Sequence, residues 1–398
     1  MASQPKQRRR IALLVESSRS FGRGIVRSIA EWVRERQDWE VFYQDCGLGE
    51  LLPPWFRNWE GDGIMARLEN HRIINAVRKK ALPVVDVRGT IAVKGIPIVR
   101  TDDREVAQLA VQHFVDRGFR QLAYCGYPGA DYSDRRCRAF GEIADASGLA
   151  SYVYSPRKRQ QMTDLRRYEQ HGLIYERDVA PWIESLPKPI GLLACNDVRG
   201  HQVLSACREV GTPVPEEVAV IGVDNYDVLC ELATPPLSSI EQNTREITRR
   251  AASILDRMMD GDSPPKSEWI KPVRVVTRLS SDVLAIEDAD VAHAVRFIRE
   301  HATQAINVGD VLREVPISRR ELERRFDKAI GRTPNQEIQR ARIQFIRALL
   351  TDTDLPVHVV ASKSGYEYTG HMIAAFKRAM GMTPKRYRAK FRQSPVEG

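Results

Sequence analysis

The 398-residue sequence has no apolar run of the about 20 residues that a membrane-spanning helix needs. Its opening, MASQPKQRRRIALLVESS, is basic, but the apolar stretch runs only from Ile11 to Val15. That is shorter than the ~7 to 15 apolar residues of a signal-peptide core. We therefore expect a cytoplasmic protein that has no membrane partner.

Cysteine is also scarce, and its spacing excludes two kinds of site. The six cysteines include no Cys-x-x-Cys pair, and apolar residues flank most of them. This spacing argues against a zinc ribbon and a disulfide framework and favours buried thiols. We expect neither a metal nor a cofactor.

The common catalytic motifs are missing as well. The sequence contains no Walker loop, no Gly-x-Ser-x-Gly elbow and no His-Glu-x-x-His, and Gly22-Arg-Gly24 lacks the third glycine of a dinucleotide fingerprint. Adjacent Asp102 and Asp103 need not converge as an acid pair, and capping of the following helix explains them better. The sequence therefore argues against an enzyme.

Positive charge is concentrated at one end of the chain. Residues 289–398 contain 20 Lys and Arg against 12 Asp and Glu, whereas residues 1–288 contain 41 against 40. A nearly neutral body with a basic end is typical of a protein in which one module binds a polyanion. A solvated arginine-rich surface is the plainer interpretation, and charge alone does not decide between them.

The first 280 residues alternate short apolar runs with amphipathic helical stretches, which predicts βαβ units and a mostly parallel sheet. Nine strands are predicted, over residues 11–15, 39–43, 63–66, 83–87, 98–101, 121–126, 152–154, 190–194 and 218–223. The fold class is thus α/β in this part of the chain.

Two regions interrupt the alternation. Residues 157–177 are polar and charged, which predicts an excursion from the core or a mobile loop. After the turn at residues 261–265, Trp269 to Thr277 reads as an extended segment that leads out of the α/β body. We place a boundary between Arg278 and Asp288, separating a domain of residues 1–280 from an all-α domain of residues 289–398.

The all-α domain contains an internal repeat. The segment FDKAIGRTP, which begins at Phe326, recurs as FKRAMGMTP, which begins at Phe376. Apolar residues three or four apart predict a helix, Gly331 and Gly381 suit its left-handed end, and Thr-Pro opens the next helix. Each copy is preceded by a shorter helix and a tight turn, and we expect Ser or Thr to cap the helix that follows.

Short helix, turn and capped second helix describe a helix-turn-helix, whose second helix enters the DNA major groove. Two such units can read successive grooves of double-stranded operator DNA. An ordinary helical bundle formed by duplication is the alternative. Against it, both second helices carry exposed polar residues suited to bases and phosphates. The candidates are Ser318, Arg319, Arg320, Glu323 and Arg324 in the first unit, and Tyr368, Thr369, His371, Lys377 and Arg378 in the second.

These residues resemble the DNA-binding domain of the arabinose-regulator (AraC-type) family. The resemblance covers about 110 residues and rests on the segments SRRELERRF, GRTPNQEIQRAR and FKRAMGMTPKRYR, together with Leu355-Pro356 and Ser364-Gly365-Tyr366. Members commonly have a large aromatic residue where this chain has Met372. That departure bears on the packing or affinity of the second unit.

The first domain resembles the sugar-binding core of the lactose-repressor (LacI-type) family and of periplasmic sugar-binding proteins. The resemblance rests on ACNDVRG ending at Gly200, GTPVPEEVAVIGVDN ending at Asn225 and PPLSSIEQ ending at Gln242. It implies two α/β lobes with the ligand between them, joined by strands that cross near Thr101, near Leu237 and after Pro264.

The family pattern places ligand contacts on six residues: Phe21, Arg136, Asn196, Asp197, Asp224 and Gln242. Several sit at strand ends, where open α/β sheets bind ligands. Plainer interpretations remain open: Asp197 as a helix cap, Phe21 as core and Arg136 as an exposed arginine. Arg19 and Arg88 also follow strands, but the sequence does not say where their side chains point.

The two resemblances together imply a sugar-responsive transcriptional regulator, most similar to activators that bind D-xylose or a similar pentose. Such a regulator is expected to be a homodimer and, as an activator, to contact RNA polymerase. The alternatives are a solute-binding component of sugar uptake, or a regulator that responds to a different small sugar.

Overall fold

The computed structural model describes residues 8–47, 52–156, 178–282, 286 and 288–391. The chain forms two compact units, Met1–Ala285 and Ile286–Gly398. The polar segment predicted as an excursion, residues 157–177, lies outside the described residues. None of the helices in the described ranges is long and apolar enough to cross a membrane.

The first lobe of the first unit is built on a parallel sheet of four strands, in the order β2-β1-β3-β4. Helices cover this sheet, and the third of them, α8, comes from much later in the chain and packs against α1 and β3. The elements are β1 (Arg9–Leu14), α1 (Ser20–Arg36), β2 (Trp39–Tyr43), β3 (Gly63–Ala66), α2 (His71–Arg78), β4 (Val84–Asp86) and α8 (Thr244–Met259).

The second lobe contains a sheet of six strands, in the order β12-β10-β9-β8-β6-β7. All its neighbouring strands are parallel except β12, which runs antiparallel to β10. Its elements are α3 (Asp103–Val115), β6 (Gln121–Cys125), α4 (Asp131–Ala146), β7 (Ala150–Val153), α5 (Val179–Ser185), β8 (Ile190–Ala194), α6 (Asp197–Glu209), β9 (Val218–Val223), α7 (Asp227–Leu232), β10 (Ser238–Glu241) and β12 (Arg274–Val276).

Three connections join the lobes. Their course differs from two sequence predictions, the crossing near Leu237 and the path of Trp269 to Thr277. Strand β5 (Val99–Thr101) leads into the second lobe and pairs with β11 (Glu268–Ile270). The expected crossing near Leu237 lies after Glu241, because the buried residues Ser238–Glu241 form a further strand beside β9. Trp269 to Thr277 was wrongly predicted to leave the body, since β11 and β12 both pair within it.

The central strands of both sheets are buried because they are short continuous apolar runs covered on two faces, as parallel sheets require. Every residue of β8 and β9 is buried. The predicted two-lobed α/β architecture with parallel sheets is confirmed, and the predicted bounds of four strands, 39–43, 63–66, 190–194 and 218–223, are reproduced.

The described part of the second unit is all helical, as predicted. Its helices are α9 (Ala289–His301), α10 (Val308–Glu314), α11 (Arg319–Ile330), α12 (Pro334–Asp352), α13 (Val357–Lys363), α14 (Thr369–Met380) and α15 (Pro384–Phe391). Helix α12 contacts helices of both halves of the repeat and so joins them. Its Ile343 and Ile346 are buried, whereas its Phe345 is exposed.

Candidate ligand cleft and DNA-binding surface

A polar cleft lies between the two lobes of the first unit, at the carboxyl ends of their parallel strands. The lining residues enclose about 410 Å³ of space not filled by protein atoms, part of it open to solvent. The first lobe contributes Arg19, Ser20, Phe21, Arg67 and Arg88, and the second lobe contributes Asn196, Asp197, Val198, Asp224 and Tyr226.

Four of the six predicted ligand residues line this cleft: Phe21, Asn196, Asp197 and Asp224. The other two, Arg136 and Gln242, are buried behind the lining, with 2% and 6% of their surface exposed. Sequence reasoning missed Ser20, Arg67, Val198 and Tyr226. Their one available signal was their position shortly after strands β1, β3, β8 and β9.

Arg136 is held by the protein and is not one of several exposed arginines. Its Nε donates to Asp103 Oδ1 at 2.8 Å, and its Nη1 donates to the carbonyl of Cys195, the residue before Asn196. Burial opposes its charge, but the carboxylates of Asp103 and Asp224 outweigh burial and raise its pKa. Arg136 therefore stays charged and fixes the backbone at the end of β8.

Asn196, and not Asp197, caps helix α6. The Asn196 side chain accepts a hydrogen bond from Arg199 N at 2.8 Å and donates to Tyr132 Oη at 3.1 Å. The Asp197 carboxylate instead accepts from Tyr226 N at 2.6 Å and from Ser239 Oγ at 2.5 Å. Asp197 thus ties the ends of β9 and β10 to the cleft.

Asp224 is presented to the cleft by an unusual backbone. Asp224 and Asn225 both have positive φ, at 110° and 46°, a region that residues other than glycine seldom adopt. Gln242 donates its amide to the Asp224 carboxylate and accepts from Thr101 Oγ1, at the first crossing between the lobes. Gln242 therefore connects the hinge to a residue that lines the cleft.

Arg88 is the cation with most donors to offer a ligand. Within the described part of the chain, its guanidinium makes no hydrogen bond and no ion pair. It lies 4.6 Å from the ring of Tyr132 and 5.5 Å from the ring of Phe21. By contrast, Arg67 pairs with Glu16 at 2.6 Å and with Glu69, so its charge is neutralised.

The charges around the cleft nearly cancel. Burial, and then the nearby Asp224 carboxylate, raise the pKa of Asp197, so a second negative charge beside Asp224 is disfavoured. One carboxylate, Asp224, then faces the unpaired guanidinium of Arg88. Such a site suits a neutral ligand that both donates and accepts hydrogen bonds, and Phe21 and Tyr226 supply apolar ring faces beside them.

Two contacts between the lobes border the cleft. Ser20 Oγ donates to the carbonyl of Asp224 at 3.3 Å, and the Arg23 guanidinium lies 4.7 Å from the ring of Tyr226. These contacts join α1 of the first lobe to the loop after β9 in the second.

The first helix-turn-helix consists of α10 and α11. Ser318 caps α11 by accepting from Glu321 N at 3.3 Å, and Gly331 ends it with φ at 65°. Leu322 and Phe326 are buried, whereas all five predicted DNA-binding residues, from Ser318 to Arg324, are exposed. Helix α11 therefore packs on one face and presents its basic face to solvent.

Most arginines of this exposed face are already paired. Arg319 Nε contacts Glu323 at 3.1 Å, and Arg324 Nη2 contacts Glu321 at 2.6 Å. Arg320, among the described residues, has neither an ion pair nor a side-chain hydrogen bond. It is the arginine of this helix that can engage DNA without giving up a carboxylate.

The second helix-turn-helix consists of α13 and α14, and here the capping prediction was wrong. The residue before α14 is Tyr368, and no side chain caps the helix. Tyr368 is 58% exposed, and its ring centre lies 5.3 Å from that of His371. Thr369 is half-buried, and His371, Lys377 and Arg378 are exposed. Met372 is fully buried, so the departure from the family pattern still fills the core.

An arginine of α12 binds the chain between α9 and α10. Arg342 Nε donates to Ala302 O at 2.9 Å, and its Nη2 donates to Gln304 O at 3.1 Å and Ile306 O at 3.0 Å. Its guanidinium lies 5.4 Å from the ring of Tyr366, in the turn of the second helix-turn-helix. Arg342 thus contacts segments that belong to both halves of the repeat.

Comparisons with protein families agree with this division. Residues 10–103 match the XylR N-terminal domain, residues 111–281 a periplasmic binding protein-like domain and residues 311–390 a helix-turn-helix domain. The predicted periplasmic-binding-protein-like fold, followed by a helix-turn-helix domain, is confirmed.

Individual relatives match over nearly the whole length. The xylose operon regulatory protein of Escherichia coli (strain K12) is 30% identical over 391 residues, covering 96% of this chain and 97% of that protein. The xylose operon regulatory protein of Haemophilus influenzae (strain ATCC 51907 / DSM 11121 / KW20 / Rd) is 28% identical over 388 residues, covering 95% and 98%. A solved structure of the xylose-binding transcription activator XylR superimposes with a TM-score of 0.79 at 28% identity, covering 99% and 100%.

Proposed function

Because the chain belongs to the family of xylose operon regulatory proteins, we propose that it activates transcription in response to D-xylose bound in the cleft between its lobes. It is a regulator and not an enzyme: the relatives are transcription regulators, and a helix-turn-helix domain follows the sensor. Membership in this family also sets aside a role in sugar uptake.

One observation carries the choice of ligand class: the cleft is polar and nearly neutral, with donors and an acceptor on opposite lobes. Arg88 of the first lobe offers unengaged N–H groups, and Asp224 of the second offers a carboxylate. A neutral pentose can bridge the two through its hydroxyl groups. Binding would then favour the closed arrangement of the lobes, because only that arrangement brings both partners to the same ligand.

The helical unit is proposed to bind double-stranded operator DNA through α11 and α14. Its net charge of +8 over residues 289–398 supports binding to the phosphate backbone. Arg320 lies at the start of α11, and Tyr368 and His371 lie at the start of α14. These are the positions from which a recognition helix reaches base edges. We further propose that the regulator acts in the cytoplasm as a homodimer and contacts RNA polymerase.

A calorimetric titration against D-xylose, D-ribose, L-arabinose and D-glucose tests the ligand. We expect D-xylose to bind most tightly and to be recovered chemically unchanged. Arg88→Met should weaken binding by about tenfold or more, because hydrogen bonds from a charged donor contribute about 1.5 to 3 kcal/mol. Arg72→Met, an exposed arginine of α2, is the matched control.

The DNA function has its own test. Duplexes are selected by the sugar-loaded protein from a random pool, and their affinity is measured with and without D-xylose. Tighter binding with sugar is expected. Equal affinity at saturating sugar would contradict the proposed regulation, and a stronger response to another sugar would reassign the effector.

A further inference from the structure

The loop after strand β9 faces the cleft on one side and the end of the sensor unit on the other. Asp224 and Tyr226 line the cleft, while Asn225 lies between them. The chain reaches Asp282, the last described residue before the helical unit except for residue 286, by way of β12 and a short helical turn, Leu279–Ser281. We call Thr277–Asp282 the exit segment.

The exit segment is fixed to the central strands of the second lobe. Ser280 is fully buried; its Oγ donates to Val220 O at 2.6 Å and accepts from Ser238 N at 2.8 Å. Arg278 N donates to Ser238 Oγ at 2.8 Å. These contacts hold the segment against β9 and β10, so movement at the ends of those strands reaches the point where the chain leaves the sensor.

One side chain links this segment directly to the cleft loop. Arg278 Nη2 donates to Asn225 Oδ1 at 2.9 Å, and its Nη1 donates to Leu237 O at 3.0 Å. Asn225 N in turn donates to Ser239 Oγ, and that hydroxyl donates to Asp197 in the cleft wall. Two or three side chains therefore connect Asp197 and Asp224 in the cleft to the exit segment.

The backbone of this loop is strained at two positions. Two successive residues other than glycine, Asp224 and Asn225, hold positive φ, a backbone state that is unfavourable for such residues and persists only when surrounding contacts impose it. The contacts that impose it come from both directions: Gln242 and Ser20 on the cleft side, and Arg278 on the exit side. The loop is therefore in contact with both the cleft and the exit segment.

Resting on the proposed function, we propose that Arg278 is a positioning residue that couples sugar occupancy of the cleft to DNA affinity. Sugar bound to Asp224 stabilises the positive-φ form of the loop, and the Arg278 side chain bonds to Asn225 only when the loop has that form. The sugar then biases the exit segment because it binds one loop state better than the other, which linkage requires.

The test compares variants of the full-length chain by three measurements. These are the Kd for D-xylose, the Kd for a selected duplex without sugar, and the Kd for the same duplex at saturating D-xylose. The ratio of the two DNA constants is the coupling factor, which for allosteric proteins is about 5 to 150.

In Arg278→Ala we expect the coupling factor to fall to near 1, while the Kd for D-xylose and the Kd for DNA without sugar change by less than about threefold. Asn225→Ala should lower the coupling factor equally. The double variant should lose no more coupling than either single variant, because both substitutions remove the same hydrogen bond between Arg278 and Asn225. Arg278→Lys should keep part of the coupling that Arg278→Ala loses. Its single ammonium group can donate to Asn225 but cannot also reach Leu237 O as the guanidinium does.

Arg274→Ala is the matched control, because Arg274 lies four residues earlier and pairs only with the exposed carboxylate of Glu241 among the described residues. It should keep full coupling. Retained coupling in Arg278→Ala, or equal loss in Arg274→Ala, would overturn the inference. If Arg278→Ala melts early, Asn225→Ala and Arg278→Lys decide. A wild-type chain with no coupling would instead overturn the proposed function.

Discussion

At the scale of single residues, Arg320 differs from its neighbours on α11 because no described carboxylate holds it. A free guanidinium can fork onto guanine O6 and N7. Arg320→Ala should therefore weaken binding to a selected duplex by about 1 to 3 kcal/mol and relax the preference at one base pair. Binding to all single-base variants of the duplex measures this. An equal loss for every variant would identify a phosphate contact instead.

Asp197 predicts a pH dependence of stability. Burial and Asp224 raise its pKa from 3.8 to about 8 in the folded chain, so the folded state binds a proton that the unfolded state releases. The free energy of unfolding therefore falls as pH rises between about 4 and 8, by at most about 1.4 kcal/mol per pH unit. Urea titrations should show this fall in the wild type relative to Asp197→Asn. A difference that stays constant from pH 5 to 8 would contradict the assignment.

The sequence indicated which residues stand near the cleft but not which way they point. Asp224 and Asn196 were predicted from the family pattern, and their position after strands agrees with ligand binding at the carboxyl edge of the sheet. Arg88 follows a strand in the same way, yet its lack of a partner depends on where Asp103, Glu16 and Glu69 direct their carboxylates. Those ion pairs join segments far apart in sequence, so sequence alone could not identify the free arginine.

At the scale of elements, two glycines of the helical unit provide a matched pair. Gly331 and Gly365 both have positive φ, at 65° and 73°. A Cβ at Gly331 would meet no atom within 4 Å, whereas one at Gly365 would lie 2.6 Å from the carbonyl oxygen of Gln304. That carbonyl is also bonded by Arg342, so it cannot move freely.

Gly331→Ala should therefore lower the free energy of unfolding by about 1 to 2 kcal/mol, the penalty for a side chain in the left-handed region. Gly365→Ala should lower it by clearly more, because the backbone of residues 302–304 must shift as well. Thermal melts of the two full-length variants measure the difference. Equal melting temperatures would show that the junction around Arg342 is pliable.

Elements with local signals were predicted well, and elements defined by long-range pairing were not. Ser318, Gly331 and Pro334 are local start and stop signals, so the bounds of α11 and the start of α12 lie close to the predicted residues. Strand β10 has the sequence Ser-Ser-Ile-Glu, which carries no alternation, and only its pairing with β9 and β12 makes it a strand. Pairing of that kind is invisible in a short window of sequence.

At the scale of the whole molecule, charge and function divide at the same place. Residues 1–288 carry a net charge of +1, and residues 289–398 carry +8. A sensor of nearly zero net charge exerts little long-range attraction on DNA, so we expect most of the affinity for phosphates to come from the helical unit. The sugar signal therefore has to act on the presentation of that unit rather than on its charge.

This division predicts where the salt dependence of DNA binding originates. Lys377 and Arg378 are exposed at the far end of α14, and among the described residues they form no ion pair. If each contacts a phosphate, each replacement by Gln should lower the steepness of the plot of log K for DNA binding against log salt concentration by about 0.9. The double variant Lys377→Gln/Arg378→Gln should also bind all sequences more weakly by the same factor. The measurement is the duplex affinity of the full-length chain from 50 to 300 mM salt.

Arg72→Gln and Arg78→Gln, on α2 of the sensor, remove the same number of exposed charges from the neutral unit. They should leave the slope unchanged, because counterions are released only where a cation meets a phosphate. An equal decrease of the slope in the double variant of α14 and in the double variant of α2 would mean that the sensor also lies along the DNA. Unequal slopes with and without D-xylose would mean that the sugar changes how many phosphates the helical unit contacts.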